Sequence, residues 1–168
     1  FTLEIIEDNK TKVGINTHAS NRIVEHALQN NLIDEFKDIK DVKPEIKFGL
    51  NTRFDFLILS KKNKIFIEVK NVTLSRKKGL AEFPDAVTKR GEKHLRELAC
   101  MRADGNRALM FYLVQRGDCN AFRLAADLDP AYTRAFFEAR DAGVEAVCYA
   151  CDISPTSIRI VRQIPIDC

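Results

Sequence analysis

Nowhere does the chain hold an apolar run approaching the roughly 18 residues that a membrane-spanning helix requires, so a transmembrane protein of that kind is excluded. Cysteines are few and odd in number, at Cys100, Cys119, Cys148, Cys151 and Cys168, which excludes a secreted disulfide framework and fits a reducing cytoplasm. The Cys148-Tyr149-Ala150-Cys151 stretch has the spacing of a metal or redox pair. It lies in an apolar strand-like run, however, and no second pair or nearby histidine completes a zinc set. Charge of one sign is not in excess either: the formal net charge of +3 by itself calls for neither nucleic acid nor membrane. Internal repeats, low-complexity stretches and a targeting segment are all missing. So is an initiator Met, and the chain opens inside an alternating segment, Phe1 to Glu7. That segment reads as the last strand of a preceding domain, with Asp8-Asn9-Lys10 as a turn, so the expectation is that the chain is a fragment.

What is present is enough for one ordinary domain with its own core: 168 residues, 45% of them hydrophobic. Thr17 or Ser20 can cap a helix whose apolar stripe is Ile23, Val24, Ala27 and Leu28, ending near Asn30-Asn31. A polar connection leads to Pro44 and a short strand, Glu45 to Phe48, stopped by Gly49. Two further strands follow, Arg53 to Ile58 and Lys64 to Lys70. Residues 71–83 are polar and basic and read as a loop or the mouth of a site. Pro84-Asp85 is expected to start a helix to about Ala103 with Val87, Leu95, Leu98 and Met101 on its core face. Ala108 to Val114 is a continuous apolar run, the mark of a strand buried on both faces. Asp129-Pro130 opens another helix to about Ala142, and strands follow over 144–151 and 157–164. The order predicts an α/β fold, a central mixed sheet flanked by helices.

The chemistry concentrates in two of these strands. Side chains alternate along a strand, so Phe66, Glu68 and Lys70 share one face of the second, while Ile65, Ile67 and Val69 share the other. Asp55 shares a face with Arg53 and Leu57, opposite Phe54, Phe56 and Ile58. If the two strands pair as a hairpin, two carboxylates and an ammonium meet. Burying such charges is costly unless they are paired, and a hard divalent cation is one way to hold two carboxylates together. The competing reading is a solvated hairpin face. Basic residues follow at Arg76-Lys77-Lys78 and at Lys89, Arg90, Lys93 and Arg96, either a phosphate-binding patch or a solvated helix face. His94 can face a phosphate or fill the core side of its helix. Gln115 can enter the site or cap the next turn, and His18 and His26 read as surface.

Helical Glu25, Asp55, Glu68-Val69-Lys70 and the helix-β-β-β-helix-β order together resemble the PD-(D/E)xK nuclease-like superfamily, with Phe54 where that motif has proline. Val13-Gly14-Ile15-Asn16-Thr17, Arg53 to Leu57, Phe83 to Thr88, Arg90-Gly91, Lys93-His94-Leu95 and Leu113 to Arg116 resemble, more specifically, the sugar fermentation stimulation protein A family. The resemblance implies a restriction-endonuclease-like core over 13–168, with residues 1–12 the remnant of an OB-like domain. It implies a bacterial or archaeal DNA-binding protein, with little sequence preference, connected to control of sugar-utilisation genes. The alternative is an active DNA nuclease. In that case Asp55, Glu68 and the Val69 carbonyl would bind Mg²⁺ or Mn²⁺, Lys70 would orient or deprotonate the attacking water, and Glu25 would hold a second ion or a metal-bound water. Arg76, Lys77, Lys78, Lys89, Arg90 and Lys93 would contact DNA phosphates.

Overall fold

Strand and helix periodicities alternate along the computed structural model, which describes residues 3–8, 10–36, 38–48, 52–61 and 63–167. Expectations placed on Phe1, Thr2, Asn9, Gly49 and Cys168 lie outside the described residues. In chain order the elements are β1 (Ile5–Asp8), β2 (Thr11–Gly14), α1 (Thr17–Gln29), β3 (Ile39–Phe48), β4 (Thr52–Ser60) and β5 (Lys64–Val72). Next come β6 (Leu74–Lys77), β7 (Leu80–Phe83), α2 (Lys89–Ala103), β8 (Arg107–Val114) and β9 (Ala121–Leu124). The chain continues through α3 (Pro130–Asp141), β10 (Glu145–Ser154), β11 (Ser157–Gln163) and β12 (Ile166–Asp167).

The central sheet has the order β11-β10-β8-β5-β4-β3. β5, β8 and β10 run parallel, and antiparallel strands flank them on both sides. Parallel strands need helical crossovers, and these cover both faces. On one face α1 packs Val24, Ala27 and Leu28 onto Phe56, Ile58, Ile67, Val69 and Phe111. On the other, Leu95, Leu98 and Met101 of α2 and Tyr132, Ala135 and Phe136 of α3 pack onto Phe66, Met110 and Tyr112. The expected α/β architecture is therefore the one observed, and β8 is buried on both faces.

Several boundaries differ from expectation. Asn16 caps α1, its side chain accepting the His18 N–H at 3.0 Å, while Ser20 is buried. β3 begins at Ile39 because its lysine-rich stretch forms the outer strand of the sheet, where polar side chains are tolerated. α2 begins at Lys89, later than Pro84, because Thr88 caps it: the Thr88 hydroxyl accepts the Gly91 N–H at 3.0 Å. Val87 consequently precedes the helix and is 70% exposed instead of facing the core.

Residues 71–83 are not a loop. β5 extends to Val72, and β6 and β7 form a hairpin that joins β9 and β12 in a second, four-stranded sheet. Its center is an ionic cluster. The fully buried carboxylate of Glu82 accepts hydrogen bonds from Arg76 Nε (2.9 Å) and Nη2 (2.9 Å) and from Arg123 Nη2 (2.7 Å). Hydrogen bonds from Arg76 above all, then from Arg123, outweigh burial and pull the Glu82 carboxyl down to about 2. β1 and β2 form a two-stranded ribbon that meets the end of β8 through a Val13–Arg116 bridge.

Candidate functional site

The site arises where β4 and β5 part. Their ladder runs from Leu59 opposite Lys64 to Phe56 opposite Ile67. One residue further along β4, the Asp55 carboxylate takes the place of a ladder carbonyl, Oδ2 accepting the Val69 N–H at 2.8 Å. Its Oδ1 accepts from Asn21 Nδ2 of α1, also at 2.8 Å. The β3–β4 register passes over Glu45 and Asp55, and Glu45 has a positive φ of 51°. The strict alternation expected for β4 breaks at this point: Phe56 and Ile58 face α1, whereas Phe54 packs on Phe66 of the opposite face, ring centroids 5.1 Å apart.

On β5 the alternation holds. Glu68 and Lys70 project with Phe66 on the α2 side, and Lys70 Nζ donates to Glu68 Oε1 at 2.9 Å. From α2, His94 brings Nδ1 against the same oxygen and within 3.0 Å of Lys70 Nζ. Asp55, Glu68, Val69 and Lys70 all line one cleft of about 510 Å³, walled by the first turns of α1 (Thr17, Ser20, Asn21) and of α2 (Arg90, His94). It lies toward the carboxyl end of β5, where open α/β sheets commonly bind ligands. A separate, more apolar cleft between α1 and β11 has a single carboxylate, Glu4, in its lining.

The two acids are held in different states of ease. Burial, and then the nearby Glu68 charge, push the Asp55 carboxyl above its ordinary value despite the Val69 N–H, Asn21 and Lys70. Burial also acts to raise Glu68, but its hydrogen bond with His94 and the charge of Lys70 outweigh it and hold that carboxyl below its ordinary value. The ionised form of Asp55 is thus less well compensated by its surroundings than that of Glu68. Among the described residues no three His, Cys, Asp or Glu side chains gather closely enough to cage a metal. Two carboxylates beside the Val69 backbone suit a hard cation that keeps part of its water shell, such as Mg²⁺ or Mn²⁺, and do not suit zinc.

The other predicted residues are placed as follows. Glu25 accepts a hydrogen bond from Gln29 at 3.3 Å and lines an adjoining cleft with Asn21 and Asp55, apart from Glu68. Arg90 lines the main cleft, its Nε 3.4 Å from His94 Nε2. Lys89 is exposed, as is Lys93, whose Nζ lies 3.3 Å from Glu97. Lys77 and Lys78 are exposed at the β6–β7 turn, while the Arg76 guanidinium is engaged by Glu82 and Asp127. His18 and His26 are exposed. His94 is buried, but against Glu68 and Lys70 instead of in an apolar core. Gln115 is buried behind the cleft, donating to Ser20 Oγ (3.0 Å) and Asn71 Oδ1 (2.7 Å). Gly14 leaves room for that side chain, since a Cβ there would meet Gln115 Oε1 at 2.3 Å unless the amide shifted. Cys148 and Cys151 belong to opposite faces of β10 and cannot act as a pair. Asn21 escaped the sequence reading, although its position one helical turn before Glu25 was a usable signal.

The central mixed sheet, its three covering helices and the acidic cleft at its edge define an α/β protein of nuclease-like fold. The family model described as the sugar fermentation stimulation protein RE domain matches residues 18–157, and the chain belongs to this family. A sugar fermentation stimulation protein homolog of Chelativorans sp. (strain BNC1) is 48% identical over 168 residues, covering 99% of this chain and 72% of the relative. Its counterpart in Roseobacter denitrificans is 48% identical over 161 residues, covering 95% and 68%. The structure of Pyrococcus furiosus SfsA in complex with Ca²⁺ superposes with a TM-score of 0.91 at 26% identity, covering 99% of this chain and 71% of that one.

Proposed function

We propose that this protein binds DNA through its phosphates and hydrolyses phosphodiester bonds with Mg²⁺ or Mn²⁺ held by Asp55, Glu68 and the Val69 carbonyl. The observation that carries this reading is the placement of Asp55 on the Val69 N–H at 2.8 Å, in the same cleft as Glu68 and Lys70. When bound, the cation supplies Lewis-acid chemistry, lowering the pKa of a coordinated water and offsetting charge on the phosphate. Asn21 and the Val69 N–H fix the orientation of the Asp55 carboxylate. Lys70, a donor to Glu68, reaches into the cleft to orient the attacking water or a phosphate oxygen. Arg90 on the cleft wall and exposed Lys77, Lys78, Lys89 and Lys93 supply phosphate contacts. Contacts of this kind give little base preference. The Ca²⁺ in the archaeal relative's structure is in keeping with a hard-cation site in this fold.

Binding without turnover is the second reading, favoured by one observation: Lys70 and His94 already occupy Glu68 Oε1, so a cation must compete for that carboxylate. A family named for stimulation of sugar fermentation fits a cytoplasmic protein that acts on sugar-utilisation genes through DNA. The end of an OB-like module remains the reading for residues 1–12, and the β1–β2 ribbon runs across that boundary to Gly14, which pairs with Ile5.

Nicking of plasmid DNA in Mn²⁺, absent in EDTA, separates the two readings; no cleavage under any divalent cation leaves binding alone. Phosphate contact itself is tested on α2. The Lys93–Glu97 pair joins an exposed lysine to a half-buried carboxylate at i,i+4 spacing, a contact of modest energy for which a phosphate can compete. The double variant Lys89→Ala/Lys93→Ala is expected to weaken DNA binding and to flatten the slope of log K against log salt by about 0.9 per lost duplex contact. Fluorescence anisotropy over a salt series checks it, and an unchanged slope returns both lysines to solvent.

A further inference from the structure

His94 sits between two parts of the site. Its Nε2 faces Arg90 Nε at 3.4 Å on the cleft wall, and its Nδ1 meets Glu68 Oε1. These contacts fix the tautomer from the network. Arginine carries no acceptor, so Nε2 must offer a lone pair to it, and the ring proton then resides on Nδ1 and is donated to the carboxylate. The 3.0 Å approach of Lys70 Nζ to Nδ1 follows from both groups converging on the same oxygen. α2 is anchored well enough to hold this geometry, because Thr88 caps it and Leu95 and Leu98 beside His94 are fully buried.

We infer that His94 is a positioning residue for the cation site: its Nδ1–H clamps Glu68 Oε1 and turns the carboxylate so that Oε2 serves the cation alongside Asp55. A ligand carboxylate on a flexible side chain gains affinity when a neighbour fixes its rotamer, and loss of such an outer partner typically costs about 10–100-fold in metal affinity. This inference rests on the proposed cation site, and it adds that the histidine acts through the place of one N–H and not through bulk.

Side-chain amides separate those alternatives. An asparagine amide can put an N–H where Nδ1 stands, whereas a glutamine amide reaches the position of Nε2. Mn²⁺ binding to the full chain, measured by calorimetry, is expected to weaken about tenfold or more in His94→Gln and His94→Leu and to stay within about threefold of wild type in His94→Asn. Melting without cation, recorded for each variant, identifies any that does not fold; should His94→Leu fail, the Asn and Gln pair decides. Equal Mn²⁺ affinity in His94→Gln and wild type, with Asp55→Asn abolishing binding, overturns the role of His94 and leaves the site standing. Equal losses in the Asn and Gln variants also overturn it. If wild type binds no Mn²⁺, or Asp55→Asn binds it normally, the cation site falls and this inference with it.

Discussion

Asp55→Asn is expected to abolish the stabilisation that Mn²⁺ gives the wild type and, without cation, to lose the fall in stability that the wild type shows as pH rises above 3.8. The first part follows from mass action. A cation at a hundred times its Kd stabilises the folded state by ~2.7 kcal/mol. In a domain of this size that corresponds to about 5–10 °C in Tm. The second part follows from the sign of the shift. Burial, joined by Glu68, raises Asp55 above its ordinary value of 3.8, so the folded protein holds that proton more tightly than the unfolded chain. Stability from this group therefore falls as pH rises from 3.8 through the raised folded-state value. A neutral amide removes that pH dependence. Glu68 behaves oppositely: it lies below its ordinary 4.5, so its contribution is present above that value and is lost as pH falls through the lowered one. Scanning calorimetry of wild type and Asp55→Asn with Mn²⁺ or EDTA, over a pH series, checks both parts. Equal Mn²⁺ shifts in the two proteins would remove Asp55 from the cation site.

The largest loss of stability is expected from Asp129→Ala, at a residue outside the cleft lining. Asp129 is 2% exposed and joins two helix starts. Oδ1 accepts the Tyr132 N–H of α3 at 2.9 Å, and Oδ2 accepts the N–H of Thr88, the cap of α2, at 2.8 Å. Truncation deletes one helix cap and leaves two N–H groups without acceptors, together about 3 kcal/mol. For this size of domain that is a fall of about 6–12 °C in Tm. The change also frees the start of α2, which carries Arg90 and His94, so DNA and cation binding should weaken as well. Tightly packed Gly91, whose added Cβ would meet Tyr132 at 2.9 Å, makes the same junction intolerant of movement. A Tm within 2 °C of wild type, an order-of-magnitude threshold set by the same scaling, would show that water replaces the carboxylate at no cost.

Much of this was legible in the sequence, for physical reasons that differ by residue. Phe66, Glu68 and Lys70 share a face because β5 is a regular interior strand, where period two is strict. Leu95, Leu98 and Met101 mark the core stripe of α2 because helical spacing repeats across its whole length. The second sheet was not legible: β6, β7, β9 and β12 are short, and the ion cluster that ties β9 to the β6–β7 hairpin joins Glu82 to Arg123, 41 residues away in sequence. Phe54 changed faces because the β3–β4 ribbon is irregular at Glu45 and Asp55, which no alternation rule contains. His94 was visible as a choice between phosphate and core. Packing alone shows that it is buried and polar at once, against Glu68.

The most direct test of the site is incubation of the protein with single-stranded, duplex and branched DNA in Mn²⁺, comparing wild type with Lys70→Ala. Lys70 reaches the reacting water or phosphate only if Asp55, Glu68 and Val69 hold a cation in the shared cleft, and losing such a donor should lower the cleavage rate by about 10²-fold or more. Cleavage of at least one DNA form by wild type, with that loss in Lys70→Ala, is the result expected. Cleavage by Lys70→Ala at the wild-type rate, or none by wild type on any form, would contradict it.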